Sequence, residues 1–232
     1  RGMPEKIFTI PINEAMDRYD GCPLCHLRAR LEEDNLKYAL GAAMMEPDVR
    51  IEMNRLGFCA KHFDDMFAAK NKLALALILE SHLDEVSALF PQPGEDTGRK
   101  KRKPPKGPDE ADRVSELAGS CFICSRIRGT VRRYYSNFVY LWDSDPAFRE
   151  KLARQPFICV TDASGILKAA KAELKPASYA GLTDALNVLV GDYVSSVRAD
   201  VTKYCQSFDY RNADKPLGEE KNSVEKAIRF LR

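Results

Sequence analysis

The sequence lacks the patterns that mark membrane proteins and several common classes of enzyme. It has no run of about 18 apolar residues, so no transmembrane helix is expected, and its first residues show no secretory-signal pattern. It contains no phosphate-binding GxxxxGK[ST] loop, no GxGxxG turn after a strand and no nucleophile elbow. No alternating strand pattern of useful length appears. These absences predict an all-α protein with no membrane partner and favour a role other than catalysis.

What the chain does contain is a cysteine framework that occurs twice. Six of the seven cysteines lie in CxxC, CxxH or CxxD spacing. Such spacing without a signal sequence favours metal binding in a reducing compartment over disulfides, so we expect a cytoplasmic protein. Cys25 precedes Cys59 by 34 positions, and Cys124 precedes Cys159 by 35. The two frameworks are Cys22, Cys25, Cys59 and His62, and Cys121, Cys124, Cys159 and Asp162.

The frameworks lie in two segments that match each other beyond the cysteines. Residues 91–108 are rich in proline, glycine and charge, and they predict an exposed, disordered linker between segments 3–90 and 109–232. The segments align at an offset of 99 residues, which becomes 100 before Cys59. The alignment pairs Glu46-Pro47-x-x-Arg50 with Asp145-Pro146-x-x-Arg149. We therefore predict a tandem duplication of one structural unit.

Hydrophobic periodicity indicates that each unit is helical. Leu75, Leu79 and Leu83 repeat at helical spacing, and a longer amphipathic stripe extends from Pro176 to Tyr204. The midpoint between each CxxC and its following pair falls close to a predicted break at Glu46-Pro47 or Asp145-Pro146. The predicted fold is all-α, with two related zinc-stapled helical-hairpin units and a long C-terminal helix packed as a helical bundle.

The first framework has the composition of a structural zinc site. Cys22, Cys25, Cys59 and His62 supply three thiolates and one imidazole, which suits tetrahedral Zn²⁺. Four protein ligands leave no position for a reactive water, so we expect no catalytic residue here. The alternatives are a buried cluster of reduced cysteines and a redox-active set.

The second framework has an aspartate where the first has a histidine. A set of three cysteines and Asp162 can bind zinc, although structural sites rarely use a carboxylate. Asp162 could instead cap the N-terminus of a helix. The alternative to metal binding is a vestigial half-site, in which hydrophobic packing has replaced the metal, the three cysteines are small buried hydrophobes and removal of Asp162 costs little stability. We therefore expect one Zn²⁺ per chain, with a second at Cys121, Cys124, Cys159 and Asp162 as an open alternative.

A basic run lies in the predicted linker. It could contact a polyanion such as nucleic acid. A solvated linker is the commoner explanation, because no aromatic side chains that could stack on bases interleave the run. Its members are Arg99, Lys100, Lys101, Arg102 and Lys103.

Several motifs together resemble an uncharacterised bacterial family, a domain of unknown function with duplicated CxxC…CxxH units. They are Cys-Pro-Leu-Cys at residues 22–25, Asp-Val-Arg at 48–50, Gly-Phe-Cys-x-x-His at 57–62, Cys-Phe-Ile-Cys at 121–124, Phe-Asp-Tyr-Arg at 208–211 and Gly-Glu-Glu at 218–220. The resemblance implies a helical, zinc-binding fold and supplies no activity. In that family the second half also tends to end in Cys-x-x-His, and this chain departs from the pattern at Asp162.

The function predicted from the sequence is that of an interaction or scaffold protein with structural zinc, which binds a protein partner or associates with itself. One alternative is a thiol-redox or zinc-responsive sensor, whose CxxC pairs release metal on oxidation. A second alternative, less favoured, is association with nucleic acid through the basic linker.

Overall fold

The predicted all-α class is confirmed. A computed structural model describes residues 6–90, 110–209 and 218–232, and these residues form eleven α-helices and no strand. The predicted linker and its basic run lie outside the described residues. The helices are α1 (Lys6–Met16), α2 (Pro23–Ala39), α3 (Pro47–Leu56), α4 (Ala60–Ala68), α5 (Lys72–Leu89), α6 (Glu110–Gly119), α7 (Phe122–Ser144), α8 (Pro146–Ala153), α9 (Val160–Glu173), α10 (Pro176–Ser207) and α11 (Ser223–Leu231).

Proline and its preceding acidic residue begin two of the helices where the sequence predicts a break. Pro47 and Pro146 are the first residues of α3 and α8, where the missing N–H costs no helical hydrogen bond. The Asp145 carboxylate accepts a hydrogen bond from the Ala147 N–H at 2.9 Å and so caps α8. Pro176 begins the long amphipathic helix predicted from its stripe, which is α10 with 32 residues. Among the described helices, none combines the length and apolar composition that a membrane span requires.

The chain divides into two compact units that do not coincide with the two sequence segments. Unit 1 consists of Arg1–Ala29 with Thr130–Arg232, and unit 2 consists of Arg30–Gly129. Helices α2 and α7 each contribute residues to both units. Each unit therefore contains the CxxC pair of one segment and the second ligand pair of the other. The tandem duplication stays a prediction.

The core of unit 1 forms where α7, α8, α9 and α10 contribute fully buried apolar side chains. Phe138 of α7 and Phe148 of α8 meet edge to face, with ring centroids 5.0 Å apart. Ile166 of α9 and Leu182 of α10 are also buried. Gln155 donates a hydrogen bond to the Met16 carbonyl at 2.6 Å and so joins the end of α1 to the end of α8.

Two backbone contacts in unit 2 hold the start of α7 beside the end of α3. The Phe122 N–H donates to the Gly57 carbonyl at 2.9 Å, and the Ser120 hydroxyl donates to the Leu56 carbonyl at 2.6 Å. Gly57 ends α3 with φ of 58°, a left-handed conformation that favours glycine. A Cβ on Gly57 would also lie 2.7 Å from the His82 ring. The contacts bring Cys121 towards Cys59.

Candidate metal centres

Four ligand atoms converge in unit 1, and this group is called the aspartate cluster: Cys22, Cys25, Cys159 and Asp162. All four atoms lie within 4.8 Å of one another. The Asp162 Oδ2 lies 3.3 Å from the Cys22 Sγ, 3.4 Å from that of Cys25 and 3.1 Å from that of Cys159. Three sulfur atoms and one oxygen thus surround a common centre that could hold a metal ion.

Unit 2 contains a matching group, called the histidine cluster: Cys59, His62, Cys121 and Cys124. Its ligand atoms also lie within 4.8 Å of one another. The His62 Nδ1 lies 3.2 Å from the sulfur atoms of Cys59 and Cys121, and 3.4 Å from that of Cys124. This set of three sulfurs and one nitrogen could hold a metal ion in the same way.

The grouping of the ligands differs from the one predicted from the sequence. Each cluster takes one pair from each segment, so the metal would not staple a single hairpin. Four ligand pairs can be joined two by two in three ways, and near-equal spacings do not distinguish among them. The structure does not bring together Cys22, Cys25, Cys59 and His62, nor Cys121, Cys124, Cys159 and Asp162.

All four ligand pairs occupy the same position, at the N-terminus of a helix. The first member of each pair immediately precedes α2, α4, α7 or α9, and the second lies in the first turn. The Cys124 N–H points to the Cys121 Sγ at 3.5 Å, and the Asp162 N–H to the Cys159 Sγ at 3.4 Å. The unpaired N–H groups and the positive end of the helix dipole favour thiolate at these positions.

This helical register corrects one prediction about Asp162. The residue that caps α9 is Cys159, and Asp162 lies inside the first turn with a side chain that is 0% exposed. The capping role predicted for Asp162 is therefore wrong.

Burial and mutual contact shift the pKa values of the thiols. The hydrogen bond with Cys159 raises the pKa of Cys25 to about 12, and burial raises the pKa of Cys124 to about 12. Burial also acts to raise the pKa of Cys59, but hydrogen bonds from the His62 N–H and from neighbouring thiols outweigh it, and the net shift is downward. Crowded thiols of this kind ionise together when a divalent cation binds them.

An acidic partner orients the imidazole of the histidine cluster. His62 is 1% exposed, and its Nε2 lies 3.2 Å from the Glu32 Oε1. When the proton of the neutral imidazole is on Nε2, Nδ1 has a free lone pair that faces the three sulfurs and can bind a metal ion. Glu32 is paired in turn with Lys61, which also binds Asp65 at 2.7 Å. Glu32 and Asp65 lie close enough to His62 to form a third candidate group, but both carboxylates already pair with Lys61.

A phenol hydroxyl and a guanidinium hold the carboxylate of the aspartate cluster. The Asp162 Oδ2 faces the sulfurs, and its Oδ1 accepts a hydrogen bond from the Tyr135 hydroxyl at 2.8 Å. The Arg28 guanidinium forms an ion pair with the same Oδ1 and contacts the Tyr135 hydroxyl at 3.3 Å. The outer oxygen is thus fully engaged and the inner one is directed at the ligand centre.

The sequence prediction missed these outer residues. Arg28, Tyr135 and Glu32 stand on helical faces without any recognisable motif. Their partners in the alignment of the two segments are Ile127, Leu36 and Val131, which cannot play the same roles.

Gly165 leaves the space in which the Tyr135 ring lies against α9. A Cβ at this position would lie 2.2 Å from the Tyr135 ring. We expect Gly165→Ala to displace the ring from Asp162 and to lower the free energy of unfolding by about 2 kcal/mol, because overpacking outweighs the better helix propensity of alanine. Urea unfolding of the two proteins measures the difference.

The matched control is Gly191→Ala in α10 of the same unit. A Cβ there meets no atom within 4 Å, so this variant should gain up to about 1 kcal/mol from helix propensity. Equal and favourable effects of the two substitutions would contradict the packing role assigned to Gly165.

The remaining predicted contact residues, Arg99 to Lys103, lie outside the described residues, so polyanion binding stays a prediction.

A search of curated proteins finds no match to this chain, and a search of solved structures finds none. A family model does match, over residues 3–232. The chain belongs to this family, which is described as a family of unknown function, DUF6062.

Proposed function

We propose that this protein is a zinc-stabilised helical scaffold that holds two structural Zn²⁺ ions, one in each unit. The observation that carries the proposal is the pair of four-donor clusters, each built from the N-termini of two helices. The ligands would be Cys22, Cys25, Cys159 and Asp162 in unit 1, and Cys59, His62, Cys121 and Cys124 in unit 2.

The distances between donor atoms fit tetrahedral zinc. With Zn–S bonds of about 2.3 Å, two sulfurs on a tetrahedron lie about 3.8 Å apart. The Cys25 and Cys159 sulfurs are 3.5 Å apart, and those of Cys59 and Cys124 are 3.9 Å apart. Softer thiolate ligands also favour Zn²⁺ over Mg²⁺ or Ca²⁺.

The outer partners place a cation beside each negatively charged site. A Zn²⁺ ion with three thiolates and a neutral imidazole carries one net negative charge, whereas three thiolates and a carboxylate leave two. Arg28 cancels the additional charge at Asp162. Lys61 supplies one positive charge beside Glu32 and Asp65 at the histidine cluster. An ion in each cluster would therefore have a cationic side chain close to its anionic site.

A structural role follows from the number of ligands. Four protein donors complete a tetrahedron and leave no position for a water or a substrate, unlike the three-ligand sites of zinc hydrolases. Zinc binding to such sites in finger peptides releases about 10–16 kcal/mol, which is comparable to the stability of a domain. The ion in unit 1 would thus hold together residues that are more than 100 positions apart, and the ion in unit 2 residues about 60 positions apart.

We also propose that the scaffold binds a partner protein or a second copy of itself, and the surface of unit 2 supports this role. Several large apolar side chains of α3, α4 and α5 are more than half exposed, and a partner protein that covered them would remove apolar area from water. They are Ile51, Phe67, Leu73 and Leu83.

The bacterial origin and cytoplasmic location expected from the sequence stay predictions.

Elemental analysis tests the proposal. We expect two zinc ions per purified chain, and we expect a strong chelator to remove both and to cause loss of helical circular dichroism. Protein that carries no zinc but is fully helical would refute the structural role. If mild peroxide releases zinc reversibly, with formation of CxxC disulfides and a retained fold, the sensor alternative replaces the scaffold.

A further inference from the structure

A cavity of about 600 Å³ lies in unit 1 next to the aspartate cluster. Its walls are the loop and first turn around Cys22 and Cys25, the loop before α9, and helices α10 and α11. Its volume falls within the range of about 300–1,000 Å³ that is typical of small-molecule sites. The structural role of zinc gives no reason for such a cavity.

One side of the cavity is an aromatic surface made by rings that pack on one another. The rings of Phe157 and Tyr193 are stacked, with centroids 4.3 Å apart and planes inclined by 22°. Phe230 supports both rings from α11, at centroid distances of 6.1 Å and 5.3 Å, and is 4% exposed. Because the three rings hold one another, the parts of Phe157 and Tyr193 that line the cavity are preformed for contact with an aromatic group.

Another side of the cavity is basic. Lys226, Arg229 and Arg232 of the C-terminal residues line it, together with two carboxylates. Asp20 is engaged by Arg18 at 2.9 Å, and Asp200 lies 3.8 Å from the Lys226 ammonium.

The carboxylates thus have partners of their own, and no described carboxylate forms an ion pair with Arg229. The positive charge of Arg229 acts on Tyr193, whose pKa burial raises and Arg229 partly lowers. The Tyr193 hydroxyl forms no hydrogen bond with a described residue. A guanidinium and a phenol therefore remain available beside the aromatic surface, and both can donate to an anion.

We propose that this cavity binds a planar organic carboxylate, whose ring packs against Phe157 and Tyr193 and whose carboxylate pairs with Arg229. The guanidinium supplies two parallel N–H donors that match the two oxygens of a carboxylate. The inference goes beyond the structural role of zinc, because the ligand would touch the protein wall and not the metal.

The probes are 1-naphthoate and its neutral analogue 1-naphthamide, titrated calorimetrically into the zinc-loaded full chain. Both share the aromatic body, so the difference between them measures recognition of the carboxylate. We expect naphthoate to bind about tenfold more tightly than naphthamide, as one charge-assisted pair would provide. Arg229→Glu should remove this preference and leave the affinity for naphthamide unchanged.

The matched control is Arg198→Glu, an exposed change of the same charge on α10 that does not line the cavity. It should leave both affinities unchanged, and both variants should keep the zinc content and urea midpoint of the wild type. If Arg229→Glu alters the fold, Arg229→Gln takes its place. Equal affinities for the two probes, an Arg229 variant that still prefers naphthoate, or no binding of naphthoate at millimolar concentration would overturn the proposal. Zinc content is measured separately, so these outcomes leave the proposed structural role untouched.

Discussion

Replacing Asp162 by alanine is expected to lower the free energy of unfolding by about 3 kcal/mol or more and to reduce the zinc content by one ion per chain. The Asp162 side chain is completely buried, with one oxygen directed at three sulfurs and the other bound by Arg28 and Tyr135. Its removal would delete one of the four proposed ligands and leave the half-buried Arg28 guanidinium without its partner. Urea unfolding measures the stability, and elemental analysis measures the zinc.

The matched control is Asp145→Ala, which removes another aspartate near a helix start in the same unit. Asp145 caps α8 through one hydrogen bond to the Ala147 N–H, so its loss should cost about 1 kcal/mol and leave both zinc ions in place. If Asp162→Ala behaves in the same way, Asp162 is not a ligand, and the proposed zinc site of the aspartate cluster is wrong.

A second substitution separates the metal from the charge. In Arg28→Met, the guanidinium that pairs with Asp162 is absent, so adding Asp162→Ala leaves no unpaired cation behind. We expect the double variant to be more stable than Asp162→Ala alone but to have lost the same zinc ion. A double variant that regains zinc would show that Arg28, and not the missing carboxylate, prevents binding.

The helices and the types of ligand could be predicted because both depend on local sequence. Proline favours the first position of a helix because its fixed φ suits that position and its missing N–H costs no hydrogen bond there, which is why the helix starts at Pro47 and Pro146 were predicted correctly. CxxC and CxxH place two donors on one turn of a helix, so each pair was recognisable without any knowledge of its neighbours.

The pairing of the ligand pairs could not be predicted because it depends on contacts between distant residues. A break at the midpoint of each segment predicts that the segment folds back on itself. In the structure, the Phe122 N–H instead binds the Gly57 carbonyl, and the Ser120 hydroxyl binds the Leu56 carbonyl. These contacts join residues about 65 positions apart, and neither a serine nor a glycine in a loop indicates its partner.

The presence of aspartate in one framework and histidine in the other indicates from the sequence which kind of partner each side chain requires, but not which residue provides it. A buried carboxylate at a metal site requires a cation or hydrogen-bond donors around it, as an imidazole requires an acceptor. Arg28 and Tyr135 meet the first need, and Glu32 meets the second. The aspartate at position 162 alone indicates that a cation or hydrogen-bond donors must surround it. It does not indicate which helices supply them.

Two double substitutions distinguish the observed pairing from the one that the sequence suggests. Cys22→Ser with Cys159→Ser removes two ligands from the aspartate cluster and none from the histidine cluster. Cys22→Ser with Cys59→Ser removes one ligand from each. Both variants replace two cysteines by serines, so they differ in which sites are damaged and not in the number of thiols lost.

The structure predicts that the first variant keeps one zinc ion and the second keeps none, because a site with three ligands binds zinc far more weakly than one with four. Pairing within each segment predicts the opposite order, since Cys22 and Cys59 would then share a site while Cys22 and Cys159 would belong to different ones. The variant with one intact cluster should also keep more of its helical circular dichroism. Zinc analysis after gel filtration therefore decides the pairing. A single remaining ion in the Cys22 and Cys59 double variant would contradict clusters that take one ligand pair from each segment.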